Sequence, residues 1–251
     1  MQRLEGTNVK KIGLITDVHG NLPALTAILA ELDREGCDEI IHLGDVVDMG
    51  PNSAECLHLL LSRKDVTMIM GNHDKDFLFD DYIAKKLSHV PTEHKRYVFD
   101  SLTDDDRAAV SKFPLFCERE CGGKTLLFVH YAYTDVPADF KNFWYTPICH
   151  HPDAKQLDEA FASFDCDAVF FGHKHEPCDI VGKRIYVDVG SVGCHPEPLA
   201  TGAVVEYDDN EWSYRRVSVP YDMDKLRRDI MKLPCGKEIF DFYFLRNNVT
   251  F

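Results

Sequence analysis

No run of about 18 apolar residues occurs in this chain, so the sequence offers no segment that would span a bilayer as a helix. The opening Met-Gln-Arg-Leu-Glu-Gly-Thr-Asn has no apolar stretch behind its charge and does not read as a secretory signal. Nine cysteines are present without a Cys-x-x-Cys pair, and the closest two are Cys117 and Cys121. An odd, dispersed set is expected to stay reduced and to serve as small apolar side chains, not as disulfides or a thiolate zinc cluster. These absences predict a cytoplasmic protein with no membrane partner. Also missing is the glycine-rich loop that cradles nucleoside triphosphates. Basic residues are scarce, 28 Lys and Arg against 42 Asp and Glu, for a formal charge of −14. Such a chain repels a phosphate backbone, which argues against tight nonspecific nucleic-acid binding. A phosphate-bearing substrate would need a local reversal of that field, which bound metal ions would supply.

What is present has the composition of a folded domain, 45% hydrophobic and 28% charged over 251 residues. Short apolar runs alternate with helix-like segments, the pattern of an α/β fold. Strands are predicted at Val9–Thr16, Glu39–Leu43, Val66–Met70, Thr125–Val129, Ala168–Phe171, Arg184–Val189 and Gly202–Tyr207. Trp212–Val219 alternates apolar with polar residues and predicts an outer strand. Asn21 is placed to cap a helix through Leu22, Leu25, Ile28, Leu29 and Leu32, with Pro23 in its first turn. Ser53–Leu61 predicts a second helix. The polar, helix-prone stretch from about Lys75 to Gly123 reads as an inserted helical cap, and Tyr131–Pro152 as an ordered aromatic loop. After Pro220 a helix and an extension are expected to pack on the body. Without internal repeat, low-complexity tract or linker, residues 1–251 read as one domain.

The polar clusters follow predicted strand ends, where the loops of open α/β sheets converge on one rim. They are Asp17-Val-His19-Gly-Asn21, Gly44-Asp45-Val-Val-Asp48, Gly71-Asn72-His73-Asp74, His130, Gly172-His173-Lys-His175 and Gly190-Ser191-Val-Gly193. Taken singly each is ordinary: Asp-x-His is loop chemistry, His130 a core histidine, Gly44-Asp45 a turn and Asn72 a cap. At successive strand ends they make a mixed oxygen and nitrogen ligand set, Asp17, His19, Asp45, Asn72, His130, His173 and His175. Such a set suits Mn, Fe, Zn, Co or Ni rather than Ca. Asp45, with two oxygens, can bridge two ions.

These residues resemble the signature of the calcineurin-like metallophosphoesterase superfamily: Asp-x-His, Gly-Asp-x-x-Asp, Gly-Asn-His-Asp/Glu, a later His, and Gly-His-x-His. The resemblance runs from the first strand to the Gly-Ser-Val-Gly turn, which is similar to the small bacterial and archaeal phosphodiesterase-like branch. It implies a four-layer α-β-β-α sandwich with mixed sheets and two divalent ions. The first would be held by Asp17, His19, Asp45 and His175, and the second by Asp45, Asn72, His130 and His173. His73 matches the catalytic histidine of that family and Asp48 the acid that orients it. The chemistry implied is hydrolysis of a small phosphate ester, with nucleotides among the candidates and His73 giving a proton to the leaving oxygen. Two departures stand out. His130-Tyr131 replaces the usual His-Gly, and Met49 stands where the protein Ser/Thr phosphatases carry Arg, which favours diesters over phosphoproteins. The alternatives are a phosphomonoesterase acting on proteins or dinucleotide polyphosphates, and a scaffold that has lost catalysis. Retention of all seven ligands and of His73 argues against the scaffold. Lesser candidates are Tyr131, Tyr133, Phe143, Trp144 and Tyr145, which could stack on a substrate or pack the loop. His150, His151 and His195 read as surface histidines, and Asp104-Asp105-Asp106 as a solvated helix start. Lys95 or Arg96 of the cap could reach the site.

Overall fold

The computed structural model describes residues 9–78, 83, 90–133, 145–146, 149 and 151–245. Two five-stranded mixed sheets are stacked face to face. The first contains β1 (Lys10–Ile15), β2 (Glu39–His42), β3 (Val66–Met68), β9 (Leu199–Tyr207) and β10 (Trp212–Pro220), in the order β10-β9-β1-β2-β3. The second contains β4 (Phe116–Cys121), β5 (Lys124–Val129), β6 (Ala168–Phe171), β7 (Cys178–Val181) and β8 (Ile185–Asp188), in the order β4-β5-β6-β8-β7.

Side-chain alternation along the strands sorts residues into layers. Ile12, Leu14, Ile41 and Leu43 face the second sheet and meet Leu126, Phe128, Phe170 and Val187 in the central core. Their neighbours Ile15 and Ile40 face the other way, onto α1 (Leu22–Glu35) and α2 (Ser53–Leu61). In the second sheet Leu127, Val129, Val169 and Phe171 turn outward onto Leu157 of α6 (Ala154–Ala160) and onto Phe161. The result is the expected α-β-β-α order. Each fully buried Leu, Ile or Phe of these interfaces contributes about 1.5–3 kcal/mol by leaving water.

Helix α1 shows how local sequence serves the layers. Asn21 Oδ1 accepts from Ala24 N at 3.1 Å, and Gly36 ends the helix in the left-handed conformation. Between them Ala24, Leu25, Ile28, Leu29 and Leu32 form one buried stripe. The span expected as a cap differs from expectation at its end. It begins at the end of α3 (Asn72–Asp76) and contains α4 (Thr92–Ser101) and α5 (Asp104–Val110), but β4 within it pairs antiparallel with β5 and belongs to the second sheet. Val98, Leu102, Val110 and Phe113 join the cluster of α1 and α2, so α4 and α5 widen the first helical layer. The C-terminal segment forms α7 (Met223–Ile230), α8 (Gly236–Ile239) and a π-helical turn, Phe240–Phe244. Its apolar side packs on Met49 and Cys194 beside the rim where the polar clusters meet. Among the described residues no helix is long and apolar enough to cross a membrane.

Candidate active site

The parallel strands β1 and β2 deliver their loops side by side. Asp17 N donates to Gly44 O at 2.9 Å and His19 N to Asp45 O at 3.0 Å, so the first two motifs are zipped together by backbone. The loop after β6 is tied across the sandwich, where His173 N donates to Asp17 Oδ2 at 2.9 Å. Asp74 holds the loop after β2 to α3. Its Oδ2 accepts from Asp45 N (2.7 Å) and Gly71 N (3.1 Å), and its Oδ1 from Val46 N (2.9 Å) and Val47 N (3.3 Å). Gly71 is required there, because a Cβ would lie 2.1 Å from Asp45 Oδ1.

These ties bring all seven candidate ligands and the His73–Asp48 pair to one rim. On one side His175 Nε2 lies 3.1 Å from Asp17 Oδ1 and 3.1 Å from His19 Nε2. On the other His130 Nε2 lies 3.1 Å from His173 Nδ1. Asp45 Oδ2 sits between the groups, 3.8 Å from His19 Nε2 and 3.3 Å from His130 Nε2. Its other oxygen accepts from His73 N at 2.8 Å. The ring orientations follow from outer hydrogen bonds. His130 Nδ1–H donates to Leu43 O (3.0 Å) and His19 Nδ1–H to Val47 O (3.3 Å), which turns each Nε2 lone pair inward. The inner atom of the Asn72 amide lies 2.9 Å from His130 Nε2, 3.2 Å from Asp45 Oδ2 and 2.7 Å from His173 Nδ1. With nitrogen inward its two N–H bonds are shared among three neighbouring acceptor atoms. With oxygen inward four lone-pair atoms converge, and a divalent cation satisfies them together. The donor set therefore fits metal ions.

Electrostatics agree. Burial pushes Asp17 and Asp45 up, but neighbouring imidazoles, His175 for Asp17 and His130 for Asp45, hold both well below the usual carboxylate range. Burial pushes His130 down, yet the charge of Asp45 raises it to about 9. Burial and the charge on His130 together push His173 down to about 3. His73 is raised to about 10, against burial, by the Asp45 charge and by Asp48, whose Oδ2 accepts from its Nδ1–H at 2.8 Å. Burial and Asp45 push Asp74 up to about 6. The pocket is thus a field that favours positive charge.

Other candidates are placed away from this role. Tyr145 donates to Met70 O at 2.6 Å, with its ring 5.2 Å from that of His130. Tyr131 is buried with its ring 5.0 Å from that of His173, and Tyr133 pairs with Tyr145 in an isolated bridge. Tyr131 and Tyr145 pack against the candidate ligands His130 and His173. Phe143, Trp144 and His150 lie outside the described residues. His151 is exposed, and His195 Nδ1 accepts from Glu197 N at 3.2 Å in a local turn. Asp104 and Asp105 are exposed, but Asp106, expected in solvent with them, is buried. It accepts from Thr103 N (2.9 Å) and from His58 Nε2 (2.6 Å). Lys95 is buried with Nζ 3.5 Å from Ile83 O, and Arg96 is exposed. Sequence reasoning missed the scaffold role of Asp74, although it closes the Gly71-Asn72-His73-Asp74 cluster.

A four-layer sandwich whose paired sheets raise Asp, His and Asn side chains to a shared rim defines a metallophosphoesterase-like architecture. The chain belongs to the calcineurin-like phosphoesterase superfamily, whose domain model matches residues 11–210. It is 26% identical over 240 residues to an uncharacterized protein of Methanocaldococcus jannaschii, covering 88% of this chain and 92% of that protein. It is 28% identical over 206 residues to serine/threonine-protein phosphatase 1 of Salmonella typhimurium, covering 76% and 91%. A solved structure of a hypothetical protein from Pyrococcus horikoshii superposes with a TM-score of 0.74 at 22% identity, covering 94% of this chain and 98% of that one. That likeness concerns the fold.

Proposed function

We propose that this chain hydrolyses small phosphate esters at a centre of two divalent ions, with phosphodiesters favoured. The observation that carries the reading is the single oxygen, Asp45 Oδ2, set between the His19 and His130 sides of the rim at 3.8 and 3.3 Å. Asp17, His19, Asp45 and His175 would hold one ion and Asp45, Asn72, His130 and His173 the other, with Mn, Fe, Zn, Co or Ni suited to the donors. Bound ions supply positive charge for the phosphoryl oxygens and water activated near neutral pH. His73 supplies the acid. Its Nδ1–H is committed to Asp48 and its side chain is 15% exposed at the rim, so Nε2 is left to give a proton to the leaving oxygen. Asp48 keeps that ring in one orientation. Nine free thiols fit a reducing, cytoplasmic setting.

The diester preference comes from Met49. A monoester dianion gains most from a guanidinium fork. Here the corresponding side chain is an uncharged thioether, buried against Val90, Leu226 and Phe240. A monoesterase is the second reading, favoured by the likeness to a relative named as a serine/threonine phosphatase. The test compares catalytic efficiency on an aryl phosphodiester, its monoester and a phosphopeptide under one metal condition. The diester should be turned over best. His73→Ala should lose about 10²–10⁴-fold, less for good leaving groups. A phosphopeptide that wins clearly replaces the diesterase with the monoesterase reading, and no turnover of any ester by the metal-loaded protein overturns the enzyme reading.

A further inference from the structure

The turn Gly190–Cys194 after β8 lies against the back of the first ligand loop. Gly193 N and Ser191 Oγ both donate to Asp17 O at 2.9 Å, and Asn21 Nδ2 donates to Gly193 O at 2.9 Å. Cys194 N donates to Ser191 Oγ at 2.8 Å. These bonds hold Cys194, which is fully buried, directly beside His19. One face of its sulfur is apolar, with Met49 Sδ 4.0 Å away. The other face meets the site: Cys194 Sγ, a ring nitrogen of His19 and a ring nitrogen of His175 all lie within 4.8 Å of one another.

Donors around one zinc-like ion sit about 2.0–2.3 Å from it, so two of them are separated by at most about 4.6 Å. A grouping within 4.8 Å brings the three donor atoms near enough for small side-chain adjustments to place them on one ion. Cys56 and Cys121 are buried too, but in the hydrophobic clusters of the helical layer and the central core. Cys194 differs in facing two imidazoles that already belong to one side of the rim.

We propose that Cys194 is an additional ligand beside His19 and His175, and that it makes this position prefer a thiophilic ion, Zn²⁺, Co²⁺ or Fe²⁺, over Mn²⁺ or Mg²⁺. The inference rests on the two-ion reading above and decides which metal one of the two positions takes. Hard ions gain little from sulfur, whereas thiolate strongly favours zinc-like ions, so one added sulfur donor separates the classes. On ligation the S–H bond breaks, its proton leaves to solvent, and the sulfur–metal bond forms without change of oxidation state.

The test loads the full chain with Co²⁺ and records its near-ultraviolet absorption beside its cobalt content. Wild type should show a sulfur-to-cobalt charge-transfer band, and Cys194→Ser should lose it while retaining two ions per chain. Cys194→Ala carries the same comparison if the serine variant does not fold. In competition, the preference for Zn²⁺ over Mn²⁺ should fall by at least the ~10–100-fold that loss of a ligand-supporting group costs. Two cobalt ions per chain without the band in wild type, or with the band kept in the variants, overturns the ligand role and leaves the two-ion reading standing. A chain that takes up no cobalt overturns both.

Discussion

The two ends of the sandwich solve the same backbone problem differently. At the site rim Asp17, His19, Asp45, Asp48, Met49, His173 and His175 all take positive φ, between 47° and 78°. At the opposite end the turns that need positive φ use glycine, Gly36 after α1 (71°) and Gly122 and Gly123 between β4 and β5 (58° and 70°). Glycine enters that region without penalty, while a residue with a Cβ is strained by about 1–2 kcal/mol. At Asp17, His19, Asp45, His173 and His175 the rim accepts the strain at positions whose side chains are candidate donors, which glycine could not supply. Charges divide the same way. Asp17, His19, Asp45, Asp48 and His130 are buried at the rim, whereas the far end has exposed pairs such as Lys124–Asp167 at 2.9 Å, each contributing about 0–1 kcal/mol. Stability is made in the three apolar interfaces between the layers and drawn on at one rim, as strained functional sites require.

Mutation of glycine at the two ends sharpens this contrast. The largest effect is expected for Gly71→Ala, whose Cβ would sit 2.1 Å from Asp45 Oδ1 and 2.3 Å from Asp45 N. Backbone must move, and both metal content and fold stability should suffer, the latter by about 3 kcal/mol or more in denaturant titration. Gly36→Ala has nothing within 4 Å of the added Cβ and meets only the positive-φ penalty, so the same titration should read about 1 kcal/mol with metal content unchanged. Equal losses at the two positions would break the comparison.

Much of this was legible in the sequence because apolar periodicity and strand-end polar clusters are local signals. Helix α2 falls at Ser53–Leu61 as predicted, and the polar clusters lie where the parallel strands end. The outer strand β10 is indeed at a sheet edge. What escaped is what local pattern cannot carry. Strand β4 puts Glu118, Arg119 and Glu120 in its middle and so reads as part of a polar cap; pairing with β5 and the bond from Arg119 Nε to Glu39 Oε2 (3.1 Å) make it a strand. Strand β7 is four residues long and half exposed, too short for a pattern. Asp74 reaches Asp45, Val46 and Val47, far away in sequence, and Cys194 meets His19 only because the turn after β8 folds onto Asp17. Asp106 was read as solvated, but its cap on Thr103 and its bond to His58 bury it.

The number of ions bound per chain is the most direct measure of a two-ion centre. Elemental analysis of metal-reconstituted protein should find two divalent ions per chain, and Asp45→Ala, which removes the oxygen between the two histidine groups, should lower that to one or none. At most one ion per chain in the wild type, unchanged by Asp45→Ala, would contradict it.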